Sequence, residues 1–304
     1  MADDGAEQNV RKVLENSKSF TMHGNFFEII QCSKPTVLGG GGEVKTDIYI
    51  KSKRIKDKKI VEIKISYKKP SFSFVENKIK KERAEKIYGE NWSQIIQKQI
   101  IEIKENFIEK PLIYFNKKGR IEKGSITLGW RYEMEHSGSR LLSTQIKQNI
   151  ASQIWKNKNA DEKYVHGIID GISIPFSGIP NFCLTKSSDE ITTVQDIFDN
   201  IIAMDELIKT HGNITSAFLA QNYRSHKHKQ EGNRRHLAVW IRWKIINKKL
   251  GCEYVYDDPL NMESGKVFEN LSECLLKLGF DLSGEFNIDS IKNILDESVQ
   301  TYFQ

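Results

Sequence analysis

Asp47, Glu62 and Lys64 are the residues of this chain best suited to chemistry, because two carboxylates and one ammonium fall on what read as two adjacent β-strands. Mg²⁺ is a hard cation that prefers oxygen ligands and keeps several waters, so one or two carboxylates plus a substrate phosphate are its usual setting. Held there, it lowers the pKa of a bound water and polarises a phosphoryl oxygen, while a lysine stabilises developing negative charge or orients the attacking water. The chemistry implied is metal-dependent phosphodiester hydrolysis.

These side chains need a scaffold. Residues 59–67 alternate apolar Ile60, Val61, Ile63 and Ile65 with polar Glu62, Lys64 and Ser66, the period of a half-buried strand, so the three polar residues share one face. Thr46 to Ile50 is a second β-type run, and the polar stretch from Ser52 to Lys58 can turn the chain back antiparallel. Such a hairpin is expected to place Asp47 beside Glu62.

Asp47, fourteen intervening residues and then Glu62-Ile63-Lys64 resembles the PD-(D/E)XK nuclease superfamily, which includes most type II restriction endonucleases. The match spans residues 24–70 at most, and Thr46 stands where the signature has Pro. The resemblance implies a central mixed β-sheet flanked by helices, an α/β or α+β fold with a restriction-endonuclease-like core. It also implies that Asp47 and Glu62 bind divalent metal, with Ile63 counted among the metal positions, and that Lys64 assists the nucleophilic water. The implied cofactor is Mg²⁺, with Mn²⁺ as a substitute. Many members carry a further Glu on a helix before the Asp strand. Glu28, within Gly24 to Ile30, is the favoured position here, and Glu43 competes with it.

A chain of 304 residues is read as a single nuclease domain, 1–304, with a catalytic core at about 20–135 and a more helical, DNA-contacting part at about 136–304. Helices are expected at Glu7 to Asn16, through the charged region from Phe74 to Lys110 with a break near Gly89, at Ser139 to Lys156, at Val194 to Thr210 and from Asn287 onward. Strands are expected from Pro111 to Phe115, at Ser125 to Glu133, and as short pieces between Tyr164 and Leu184.

Net charge is +6, compatible with a polyanionic partner, although abundant Lys, Ile and Asn also suggest an AT-rich coding sequence. Expected DNA contacts are Lys68 and Lys69 beside the motif, and Arg224, Lys227, Lys229, Arg234 and Arg235 in the densest basic cluster. That cluster lies between two plausible strands, Ala217 to Asn222 and Leu237 to Trp243, and reads as a basic hairpin or loop. Four widely spaced cysteines argue against a zinc cluster or a disulfide framework. The glycine run before Lys45-Thr46 has the wrong register for a phosphate-binding loop, since Val44 precedes the lysine. No apolar run approaches membrane-spanning length and the start is acidic, so a cytoplasmic location is expected.

The expectation is therefore an endonuclease cutting double-stranded DNA with Mg²⁺, working as a homodimer because a palindromic duplex presents two equivalent bonds. The motif does not separate restriction from repair nicking or junction resolution. A solvated strand face, within a non-catalytic nucleic-acid-binding protein, is the competing reading.

Overall fold

The computed structural model describes residues 4–39, 42–70, 74–136, 143–145, 154–155, 160–211, 213–224, 229–230, 235–282 and 286–303. The chain divides into two compact units, one formed by 1–73 with 147–213 and the other by 74–146 with 214–304. Residues 20–73 of the expected core lie in the first unit and 74–135 in the second. The architecture is mixed α/β.

The first unit is a six-stranded mixed sheet. Helix α1 (Asp4–Glu15) leads into β1 (Ser19–Met22), β2 (Asn25–Ser33), β3 (Ile48–Arg54) and β4 (Ile60–Tyr67), an antiparallel meander. The strand Phe182–Leu184 then runs parallel to β4, and Ile201–Ala203 closes the order antiparallel to it. β4 is thus an interior strand. Alternation makes this possible: Ile48 and Ile50 on β3 and Ile63 and Ile65 on β4 form one core with Ala6, Val10 and Leu14 of α1. Phe20 stacks between Phe27 and Phe198, with centroids 5.0 and 3.6 Å away.

The turn joining β3 to β4 fixes their register. The Arg54 guanidinium donates twice to Asp57, at 3.0 and 2.6 Å, and the Arg54 amide donates to the Lys59 carbonyl at 2.9 Å. Lys58 takes φ 59, which lets the chain reverse. With the turn closed there, Ile48 faces Ile65 and Lys51 faces Glu62.

The second unit is built on a larger sheet whose central strands are Thr215–Arg224, Ser125–Glu135, Val239–Ile246 and Lys249–Val255, in that order. Helix Ser264–Lys277 packs on it, and Phe107, Trp130, Tyr132 and Phe218 fill the interior.

Several sequence expectations are corrected. Residues 25–33 are a strand rather than a helix around Glu28. The charged region opens with the strand Phe74–Glu76 and then forms three helices, Lys81–Tyr88, Trp92–Glu102 and Lys104–Ile108, the first capped at Gly89. Val194 to Thr210 is two helices interrupted by the strand Ile201–Ala203. Within 139–156, Ser143–Gln145 is a strand and Ile154 and Trp155 are helical, while Leu142, Ile146 and Ile150 lie outside the described residues. From Asn287 the chain forms a 3-10 segment, Ile288–Ile294, and a final strand, Thr301–Tyr302. At Phe74–Glu76 and Ser143–Gln145 an apolar spacing compatible with a helix was captured by pairing with a strand distant in sequence, and at residues 25–33 by the flanking strands β1 and β3. Among the described residues, no helix is long and apolar enough to cross a membrane.

Candidate functional site

Glu62 and Lys64 stand on one face of β4, and each is held by a specific partner. The Tyr49 hydroxyl, on the neighbouring strand, donates to Glu62 Oε1 at 2.8 Å. Lys64 Nζ donates to the Phe176 carbonyl at 3.1 Å. Asn181 ties the same two residues through the backbone: its Oδ1 accepts the Lys64 amide at 2.7 Å and its Nδ2 donates to the Glu62 carbonyl at 3.1 Å. Burial lowers the Lys64 pKa from the usual lysine range, with the Glu62 charge opposing the shift. Ile63, between them, points the other way and is fully buried in the core.

Asp47 sits just before β3 and is 9 % exposed. Its amide donates to the Ile65 carbonyl at 2.9 Å, and its Oδ2 accepts the Tyr67 amide at 2.7 Å and the Ser66 hydroxyl at 3.3 Å. Lys68 Nζ lies 3.7 Å from the same oxygen. Burial pushes the Asp47 carboxyl up to about 6, with Glu7 adding to the rise and Lys68, the Tyr67 amide and Lys34 opposing it.

The expected neighbourhood of Asp47 and Glu62 is corrected by this register. Glu62 faces Lys51, four residues beyond Asp47 on the partner strand, a run of roughly 13 Å at the usual strand rise. Lys64 faces Tyr49 between them.

Glu28 pairs with Lys53 on one side and Ser19 on the other and is exposed, level with the turn end of β3 and away from Asp47. The acidic residue that does reach Asp47 electrostatically from a helix is Glu7 of α1, whose Oε2 accepts from Lys34 Nζ at 3.1 Å. Glu43 lies 3.7 Å from the same ammonium. Although burial pulls the Lys34 pKa down, the Glu7 hydrogen bond and the charges of Glu7, Glu43 and Asp47 raise it overall. Sequence reading placed Glu7 on the right helix but gave it no role, since only folding brings α1 against the start of β3. Among the described residues, no group of three or more His, Cys, Asp and Glu side chains is arranged to hold a metal ion.

The basic residues divide between the units. Lys69 lines a cleft of about 570 Å³ with Asn9, Tyr67, Ser187 and Ser188 in the first unit. In the second, Arg224 is 3.4 Å from Glu122, and the Arg235 amide donates to the Ser264 hydroxyl at 3.2 Å. Arg224 pairs with Lys229 in an antiparallel ladder, and the two strands expected to flank the basic cluster both lie against Ser125–Glu135 rather than against each other. Lys227 and Arg234 lie outside the described residues.

No protein-family model matches the chain, and no curated protein or solved structure matches it. The chemical reading therefore rests on the side chains themselves. On the β4 face there is an oriented carboxylate, and beside it a desolvated ammonium whose present acceptor is a main-chain carbonyl. An anionic oxygen is a stronger acceptor for that ammonium than a neutral carbonyl.

Proposed function

We propose that the chain is a Mg²⁺-dependent endonuclease hydrolysing phosphodiester bonds of double-stranded DNA, of the restriction type that its motif resembles, acting as a homodimer. The observation that carries the reading is the placement of Glu62 and Lys64 together on one face of an interior strand of a mixed sheet, with α1 packed on the opposite face. Lys64 binds a phosphate oxygen with an N–H other than the one that holds the Phe176 carbonyl, since its ammonium has three, and Tyr49 keeps the Glu62 carboxylate oriented beside it. Glu62 and Asp47 each carry the hard oxygen donors that Mg²⁺ prefers, and the Glu7 charge reaches Asp47. One ion shared by Asp47 and Glu62 does not fit the register between β3 and β4.

That same register favours a second reading, a protein that binds nucleic-acid phosphates at Lys64 without cutting. Long duplex DNA incubated with the purified protein, with Mg²⁺ or with chelator, separates the two. Discrete fragments that need Mg²⁺ and disappear with Lys64→Ala and Glu62→Gln support the nuclease. Nicks without double-strand breaks transfer the reading to a repair nickase, and binding without cleavage transfers it to the second. Cutting unaltered in Asp47→Ala removes Asp47 from the site and leaves Glu62 and Lys64.

A further inference from the structure

The turn that supplies Lys64 with its acceptor is built to hold an aromatic ring outward. Ser177 is fully buried, and its hydroxyl accepts the Gly167 amide at 2.9 Å and lies 2.8 Å from the Ile174 carbonyl. The Gly178 amide donates to the Val165 carbonyl at 3.0 Å, and a Cβ there would stand 2.1 Å from the Tyr164 carbonyl oxygen. Phe176, immediately before this anchor, takes φ 58 yet leaves its ring 58 % exposed. A bulky residue adopts that conformation only where its surroundings impose it, and such strain gathers at functional positions. Two bonds impose it here: the Phe176 amide donates to His166 Nδ1 at 3.1 Å, and its carbonyl accepts Lys64 Nζ at 3.1 Å. The His166 ring packs edge-on against the phenyl ring with centroids 5.2 Å apart.

We propose that Phe176 is a nucleobase-stacking residue, its ring packing on an unpaired base next to the phosphate that Lys64 holds. The inference rests on the nucleic-acid reading of the Lys64 site and narrows its substrate. A cation and an exposed flat apolar ring on one residue's carbonyl bond match a ligand that carries an anion and an aromatic face within one nucleotide. Bases inside a continuous duplex already stack on their neighbours, so the ring engages a base that is single-stranded, frayed or turned out of the helix. The substrate this site prefers therefore carries unpaired nucleotides at or beside the bond.

The test is binding in chelator, so that no strand is cut, with one fluorescent oligonucleotide offered as a single strand and as a blunt duplex. Wild-type protein is expected to bind the single strand more tightly. Phe176→Ala is expected to lose roughly tenfold or more of that affinity and with it the preference. Phe176→Trp is expected to keep the affinity and to show extra tryptophan fluorescence, relative to wild type, that is quenched as the single strand saturates. Equal single-strand affinity of wild type and Phe176→Ala, or a tryptophan at 176 indifferent to the strand, overturns the inference. If Phe176→Ala weakens binding while wild type cuts nothing with Mg²⁺, the stacking role stands and the hydrolytic reading falls. If wild type cuts duplex and Phe176→Ala binds normally, the stacking role alone falls.

Discussion

The Asp47 carboxylate accepts the Tyr67 amide at 2.7 Å, which ties the residue before β3 to the end of β4 and buries an acid in the strand pair. Burial raises the carboxyl from 3.8 to about 6, so the protonated form is the one the fold favours. The associated stability is fully present below about pH 4 and is lost as pH rises through about 6. Asp47→Asn, which keeps an oxygen acceptor, is expected to be more stable than wild type at pH 7.5 by on the order of 3 kcal/mol, and equal to it near pH 4. Urea unfolding from pH 4 to 8 measures this, and a difference that does not change with pH refutes it.

Tyr49 is 1 % exposed and spends its hydroxyl on Glu62 Oε1. Tyr49→Phe removes that donor without opening a cavity and is expected to cost about 1–3 kcal/mol, because the bond is to a charged group. In a double-mutant cycle with Glu62→Ala, which removes the acceptor, the second substitution is expected to cost much less once the first is made. Additive losses would show that the two side chains do not interact.

Gly178 has backbone against it rather than a side chain that can swing away. A Cβ would lie 2.1 Å from the Tyr164 carbonyl oxygen and 3.0 Å from that of Val165. Gly178→Ala is expected to lower stability by about 1–3 kcal/mol and to weaken the Lys64 site with it, since the turn must shift. An unchanged melting temperature would mean that the turn is not locked by this contact.

Phe176 at φ 58 offers the opposite trade. Phe176→Gly relieves the left-handed conformation and removes only an exposed ring, so a gain of roughly 1 kcal/mol is expected in calorimetry. Phe176→Ala, which keeps a Cβ, is expected to gain little. A loss of stability on Phe176→Gly would show that the ring is held by packing, not displayed.

Much of the local structure could be read directly. The alternation from Ile60 to Ser66 marks β4, and Thr46 to Ile50 marks β3. The polar run between them marks the turn, because side-chain period two reports a half-buried strand wherever it occurs. Helix α1 and the long strand Ser125–Glu135 were legible for similar reasons. The segment around Glu28 was not, because Phe26, Phe27, Ile29 and Ile30 fit either period. Pairing with β1 and β3, and the stacking of Phe27 on Phe20, decide for the strand.

The sequence alone determined which residues share the face of β4, and therefore that Glu62 and Lys64 stand side by side. Where Asp47 falls along that face was settled by the Arg54–Asp57 turn, which sets the register and separates Asp47 from Glu62. Glu7 and Phe176 entered only through the tertiary structure, one carried on a helix packed against the sheet and the other bonded to Lys64 across 112 residues. Alternation encodes a face, a property of neighbouring residues, whereas register and distant contacts depend on how a turn closes and which segments bury each other's apolar sides.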